Sequence, residues 1–312
     1  MARFGLQIPN FSFGVDNAAL FGKVAELATA AEEAGFDSVW VMDHLYQLPA
    51  LGGAEQPMME AYTILGALAA VTQRVRLGAL VTGVTYRNPA FLAKAVTTLD
   101  VISQGRAICG LGAAWHDLEH EAFGYEFPPA GERLSRLEEA LQICRAMFTQ
   151  EVASFDGTYY TIKDLRNVPR PVTEGGPPIM IGGGGEKRTL KLVAQYGDMC
   201  NFFGDPDTFR RKVSILHQHC EDAGRDPDEV MVTRLSTLIP TESPEQTEQM
   251  TKMAGAVPGR DVRAMNIGQE KEIIVQLEEL TDAGVDYFIF NMPLSDVGAV
   301  RRAGEMLTAQ LG

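Results

Sequence analysis

Cysteine is scarce in this chain: four in 312 residues, Cys109, Cys144, Cys200 and Cys220, with no C-x-x-C pair. Such spacing excludes a small disulfide-framed scaffold and predicts reduced thiols in a cytoplasmic protein. Long apolar runs are missing too. None approaches the roughly 20 residues of a membrane-spanning helix, and the start, Met1-Ala2-Arg3-Phe4-Gly5-Leu6, has neither the basic nor the apolar region of a secretory leader. Positive charge is in deficit, with 27 Lys and Arg against 41 Asp and Glu, a net −14. That field repels a phosphate backbone and an anionic lipid surface, so the expected partner is a small molecule, not nucleic acid or membrane. An anionic cofactor stays compatible, because backbone N–H groups and one or two local cations suffice to hold it.

What is present is an ordinary enzyme composition, 46% hydrophobic and 22% charged, arranged as alternating strand and helix patterns. Strands are predicted at Phe4–Pro9, Ser38–Met42, Arg76–Val81, Ala107–Gly112, Ile179–Gly182, Met199–Phe203, Val230–Leu235 and Tyr287–Asn291. Helices are predicted at Leu20–Ala34, Glu60–Val71, Pro89–Ile102, Glu132–Met147, Lys187–Gln195, Asp207–Ala223, Glu272–Ala283 and Val297–Thr308. Ala34-Gly35 and Ala283-Gly284 supply left-handed helix ends. Eight of each predicts an α/β fold, a (β/α)8 TIM barrel, in one domain over 1–312; the strand count and the lack of a linker disfavour a doubly wound sheet. Two stretches interrupt the repeat. Residues 152–178 carry a hairpin signal, Asp156-Gly157, and residues 240–269, with Pro244, Pro258 and Gly259, read as a mobile excursion. Both are expected as insertions on the C-terminal face, where barrel enzymes build their sites.

The sharpest local feature is Gly182-Gly183-Gly184-Gly185-Glu186-Lys187-Arg188, four glycines between a strand end and a helix start. Close backbone approach, unpaired N–H groups and the charges of Lys187 and Arg188 suit a phosphate, although neither G-x-G-x-x-G nor the Walker pattern fits. Without a ligand, the glycines would merely permit a tight turn. A second small-residue turn, Gly110-Leu111-Gly112-Ala113-Ala114-Trp115, leaves room for a planar ligand or for close strand–helix packing. At the end of the second strand, Asp43-His44 offers an imidazole for proton transfer, with an adjacent carboxylate to bias it, or simply a loop cap.

A competing pattern is His116-Asp117-Leu118-Glu119-His120, which fits H-x-x-E-H, a zinc-hydrolase signature. It follows a predicted strand directly and lacks an evident third ligand, so the plainer reading is a polar loop near the site, with no metal. His217 and His219 on a polar helix read as surface residues, and Met250, Met253 and Met265 as apolar filler.

Taken together, Ala34-Gly35-Phe36-Asp37-Ser38-Val39-Trp40-Val41-Met42-Asp43-His44, Arg87-Asn88-Pro89, Gly110–Trp115 and Pro178–Gly185 give a chain that resembles the luciferase-like monooxygenase family, and within it the coenzyme F420-dependent oxidoreductases. The resemblance spans nearly the whole chain. It implies a pocket for F420, with FMN as the alternative, the cofactor phosphate resting on Gly112, Ala113, Ala114 and Gly182–Gly185. It implies a bulge with a non-proline cis peptide near Leu80-Val81, against the cofactor ring. Asp43-His44 looks like the F420 branch, with His44 orienting or protonating the substrate. The resemblance sets Trp115 where the family's sugar-phosphate dehydrogenases carry a glutamate acid, which makes Trp115 a pocket wall and disfavours a sugar phosphate. Arg87, Lys187 and Arg188 become candidate contacts for the anionic cofactor tail, and a homodimer is implied. The alternatives are an FMN-dependent monooxygenase using O2, a zinc hydrolase through His116, Glu119 and His120, and a cofactor-binding protein without turnover.

Overall fold

The computed structural model describes residues 2–256, 261–292 and 296–311. Strands in chain order are β1 (Arg3–Ile8), β2 (Ser38–Val41), β3 (Arg76–Ala79), β4 (Thr82–Gly83), β5 (Ala107–Gly112), β6 (Ala153–Asp156), β7 (Thr161–Leu165), β8 (Ile179–Gly182), β9 (Met199–Phe202), β10 (Met231–Pro240), β11 (Asn266–Gly268) and β12 (Tyr287–Asn291). Helices are α1 (Leu20–Glu33), α2 (Ala61–Val71), α3 (Pro89–Ser103), α4 (Asp117–Phe123), α5 (Ala130–Thr149), α6 (Thr189–Tyr196), α7 (Pro206–Asp222), α8 (Pro244–Gly255), α9 (Glu270–Asp282) and α10 (Val297–Leu311). Parallel pairing runs β1–β2–β3–β5–β8–β9–β10–β12 and returns to β1, closing the expected eight-stranded barrel.

Strand periodicity sorts the side chains. Val39 and Val41 of β2 face the helices, while Trp40 turns inward to meet Ile108, Met180, Met199, Tyr287 and Ile289. The buried indole is satisfied: Trp40 Nε1–H donates to Ser38 Oγ at 2.5 Å, and Tyr287 OH donates to the same oxygen at 2.5 Å. Gly78 lacks a side chain because Trp40 fills its place; a Cβ there would lie 2.6 Å from the indole. Outside the barrel, Leu65, Leu68, Val96, Leu141, Val193 and Leu277 pack the helical layer. All four cysteines are buried and free. No helix among the described residues is long and apolar enough to cross a membrane.

Both interruptions differ from expectation. The hairpin forms, β6 pairing antiparallel with β7, but it follows α5 and precedes β8, which places its roots at the N-terminal end of the barrel. There Asp100 of α3 accepts the amides of Val172 and Thr173, and Arg170 donates to the carbonyl of Phe148 at the end of α5. The hairpin tip lies along α5, where Glu139 accepts the amides of Thr158, Tyr159 and Tyr160. The insertion is therefore rooted at the N-terminal end and not on the C-terminal face, with its tip reaching back along α5 toward Arg136.

The second interruption does leave the C-terminal side, but it carries regular structure. Strand β10 runs on to Pro240, Ser243 caps α8 by accepting Gln246 N–H, and β11 pairs parallel with the extension of β10. Met265 is buried with Ala254 and Ile267 and Met250 packs against them, as filler should, whereas Met253 is exposed. Buried Arg234 ties the unit down through Asn266 Oδ1 at 2.8 Å, the Ala264 carbonyl at 2.8 Å and the Gly204 carbonyl at 3.2 Å. Burial pushes its guanidinium down to about 10. Pro258 and Gly259 lie outside the described residues.

Candidate active site

A cavity of about 320 Å³ opens at the C-terminal ends of the strands. It is lined by Asp43 and His44 after β2, Leu80 and Val81 after β3, Gly112–Trp115 after β5 and Gly182–Gly185 after β8. Residue type marked Asp43-His44 and the two small-residue turns, far apart in sequence, and the family resemblance marked Leu80-Val81. Thr82, Tyr86, Leu134, Thr189, Asn201 and Phe203 complete the wall with Gly83 and Leu235, and no sequence signal marked them. Lys187 and Arg188, expected as cofactor contacts, do not line the cavity. Lys187 is exposed, and Arg188 donates to the Gly131 carbonyl at 2.9 Å and Ser135 Oγ at 3.1 Å on α5.

The expected bulge and cis peptide are present at Leu80-Val81. Gly78 pairs with Ile108 and Thr82 with Leu111, so three residues on one side oppose two on the other. The extra residue presses the Ala79 carbonyl and the Val81 side chain toward β5 and β8. A Cβ on Gly110 would lie 2.1 Å from Ala79 O, and one on Gly182 would lie 2.5 Å from Val81 Cγ2. Part of the small-residue pattern thus serves the bulge itself, a reason that the sequence did not disclose.

The remaining turn residues expose donors. Gly183 adopts φ +117°, a conformation open to glycine, and Ala114 has φ +58°. Among the described residues, the amides of Ala113, Ala114, Gly184 and Gly185 donate to no protein group. Their carbonyls are gripped from behind: Arg133 Nε–H donates to Ala113 O at 2.9 Å, and the Lys212 ammonium donates to Gly184 O. His219, read as a surface residue, donates through Nε2–H to Glu186 O at 2.8 Å and steadies the same turn. Two clusters of N–H groups without protein acceptors, each backed by a cation, have the chemistry of an anion cradle.

His44 is held by a residue that the sequence left in a competing role. Its Nδ1–H donates to Glu119 Oε1 at 2.7 Å, which leaves Nε2 as the nitrogen available to a ligand. Glu119 is fully buried, and it also accepts Leu45 N–H at 2.7 Å, Tyr46 N–H at 3.3 Å and the hydroxyl of Tyr86. Burial alone would raise this carboxyl; the donors from His44, Tyr86 and Leu45 overcome it and pull the pKa down to about 2. Trp115 packs edge-on to His44, centroids 5.6 Å apart.

Asp43, expected to bias His44, is bound elsewhere. Arg87 grips it through two N–H groups at 2.5 and 2.9 Å and reaches Glu60 at 2.5 Å, above the Tyr62 ring. Burial pushes the Asp43 carboxyl up and Arg87 opposes it. Burial disfavours the charge on Arg87, but the two carboxylates hold it on. Arg87 is thus spent on the protein and not free for an anionic tail.

Two of the three H-x-x-E-H side chains, Glu119 and His120, are taken up by hydrogen bonds within the protein. His116 precedes α4, and His120 Nδ1–H donates to His116 O at 2.6 Å, so its Nε2 accepts the Thr85 hydroxyl at 2.6 Å. No three His, Cys, Asp or Glu side chains converge as metal ligands among the described residues. What the segment contributes is Glu119.

With this geometry in place, comparison with known proteins is informative. A model of the luciferase-like monooxygenase family matches residues 2–255. The chain belongs to that family. Among its luciferase-like relatives, the F420-dependent glucose-6-phosphate dehydrogenase of Kineococcus radiotolerans is 31% identical over 304 residues, covering 88% of each chain. The counterpart in Amycolatopsis mediterranei is 28% identical over 302 residues, covering 88% of this chain and 89% of the relative. Of solved structures, an F420-dependent secondary alcohol dehydrogenase in complex with an F420-acetone adduct superposes with a TM-score of 0.79 at 22% identity, covering 99% of this chain and 98% of the other. At that identity the last likeness shows the fold.

Proposed function

We propose that this barrel is an F420-dependent oxidoreductase that transfers a hydride between a small organic substrate and C5 of the deazaflavin. The observation that carries the reading is one cavity holding a histidine with a fixed Nδ1–H, a bulged strand and two amide cradles. The names of the 31% and 28% identical relatives support the choice of cofactor.

The residues fit such a group. Free amides at Ala113, Ala114, Gly184 and Gly185 suit its phosphate, and the Leu80-Val81 bulge offers an apolar floor for its ring. When bound, F420 supplies a two-electron hydride centre. The protein's own part is orientation, exclusion of water and proton handling. In oxidation of an alcohol, His44 Nε2 would accept the O–H proton as the carbonyl forms, and the bound cofactor would provide the acceptor for the hydride leaving the C–H carbon. Reduction of a carbonyl reverses both transfers. Glu119 stays ionised throughout the working pH range and stabilises the imidazolium formed on His44.

Parallel equilibrium titrations with F420 and FMN test the reading. Micromolar or tighter F420 binding with much weaker FMN binding, followed by anaerobic hydride transfer, is the expected result. Preference for FMN with O2 consumption would replace it with the monooxygenase reading.

A further inference from the structure

Most polar side chains of the cavity wall are already engaged. Asp43 is held by Arg87, Tyr86 by Glu119, Thr82 by Tyr62 at 2.8 Å, and Asn201 Nδ2 by Thr233 at 2.8 Å. No lysine or arginine lines the cavity among the described residues, and the nearby cations are committed: Arg87 to carboxylates, Arg133 and Lys212 to turn carbonyls, Arg188 to α5. Among the described residues, a dianionic substrate therefore finds no charge partner beyond the amide cradles.

Two side chains stand out against this. Trp115 and Phe203 line the cavity yet are 62% and 65% exposed, far more than the other side chains of the wall. They come from separate strand ends, β5 and β9, and so sit at the mouth, where the last molecule to enter would cover them. Large apolar rings left open at a cavity rim mark a binding surface. Covering them releases water, and flat ligands gain further from stacking on aromatic faces.

We propose that the substrate of this enzyme is a neutral, flat and largely apolar carbonyl compound or its alcohol, held between Trp115 and Phe203 with its oxygen toward His44 Nε2, and not a sugar phosphate. The proposal rests on the F420 reading above. It makes Trp115 and Phe203 specificity residues and leaves the amide cradles to the cofactor.

The test uses the full chain loaded with F420, after F420 binding has been measured by itself. Acetophenone and glucose 6-phosphate are then titrated in turn, followed by calorimetry and by tryptophan emission. The chain has two tryptophans, and Trp40 is sealed in the barrel, so quenching reports on Trp115. Acetophenone is expected to quench emission and to bind at least tenfold more tightly than glucose 6-phosphate. Trp115→Ala and Phe203→Ala should each weaken acetophenone by about tenfold. Because both side chains are exposed, the variants should fold, which circular dichroism checks. Tighter binding of glucose 6-phosphate, or acetophenone affinity unchanged in both variants, overturns the proposal while the cofactor reading stands. Failure to bind F420 removes the cofactor reading, and the proposal with it.

Discussion

At the N-terminal end of the barrel, Glu32 accepts the backbone amides of Gln73, Arg74 and Val75 at 2.6 to 3.2 Å. At the C-terminal end, Glu119 accepts those of Leu45 and Tyr46. Both carboxyls are buried, and in both the hydrogen bonds outweigh burial and lower the pKa. The ends then diverge. Near Glu32 the charged groups close on backbone: Arg106 donates to the carbonyls of Ala69, Thr72, Val75 and Ser103. Glu119 also holds an imidazole, whose second nitrogen is left for a ligand. One device locks loops at the bottom of the barrel and, with a histidine added, fixes the orientation of an imidazole at the cavity wall at the top.

The comparison breaks hardest at His44. His44→Ala should lower kcat by about 10²- to 10⁴-fold, the range for a positioned acid or base, and lower the melting temperature as well, because it strips a donor from the buried Glu119 carboxylate. Steady-state rates with saturating F420 and a thermal scan check this; an unchanged kcat would remove His44 from the chemistry.

Glu119→Gln should cost about tenfold in kcat, less than loss of the histidine, because the amide still accepts from Nδ1 but no longer offsets the imidazolium charge. A positioning role also has a signature that packing alone lacks. Nitrogen NMR of the His44 ring should show Nδ1–H dominant in the wild type and a mixture of tautomers in the variant. Because Glu119 lies at about 2 when folded, against an ordinary value of 4.5, its contribution to stability is complete above pH 4.5 and fades as pH falls toward 2. The stability gap between wild type and Glu119→Gln should therefore narrow across that window.

Glu32→Ala sharpens the contrast from the other end. It leaves three loop amides without their acceptor, which costs about 2–3 kcal/mol, read as a lower melting temperature, while F420 affinity and kcat stay within a factor of two. A large loss of kcat without loss of stability would mean that the two ends are not separate in function.

How far the sequence disclosed this arrangement depends on range. Local signals were sufficient for the eight barrel strands and their helices, because β-branched runs, Ala-Gly helix ends and the glycine turn act within a few residues. The hairpin is legible as a hairpin, and its chain position between α5 and β8 fixes its roots on the N-terminal side, because a segment that leaves a helix and enters a strand lies at that end of a barrel. The His44–Glu119 bond spans 75 residues, and no spacing rule reaches that far. The H-x-x-E-H pattern drew attention to the right segment for the wrong chemistry. Likewise, Gly110 and Gly182 were marked by composition, but their reason, the inward press of Ala79 and Val81, exists only after β3 is bulged against β5.

The smallest effect is expected where the sequence pointed most directly. Lys187 and Arg188 follow four glycines at a helix start, which is the textual mark of a phosphate site, yet neither lines the cavity. Arg188 is occupied by Gly131 and Ser135, whereas Lys212, 24 residues on in α7, reaches the Gly184 carbonyl. Double substitution Lys187→Ala with Arg188→Ala should therefore change F420 affinity by no more than about twofold, since exposed charges at a distance are screened by salt. Lys212→Ala should weaken it several-fold by loosening the turn that presents the Gly184 and Gly185 amides. Titrating both variants at two salt concentrations separates the cases. If the double variant loses more affinity than Lys212→Ala, and the loss shrinks at high salt, then the charges beside the glycines act directly on the ligand, and the amide cradle is not what holds it.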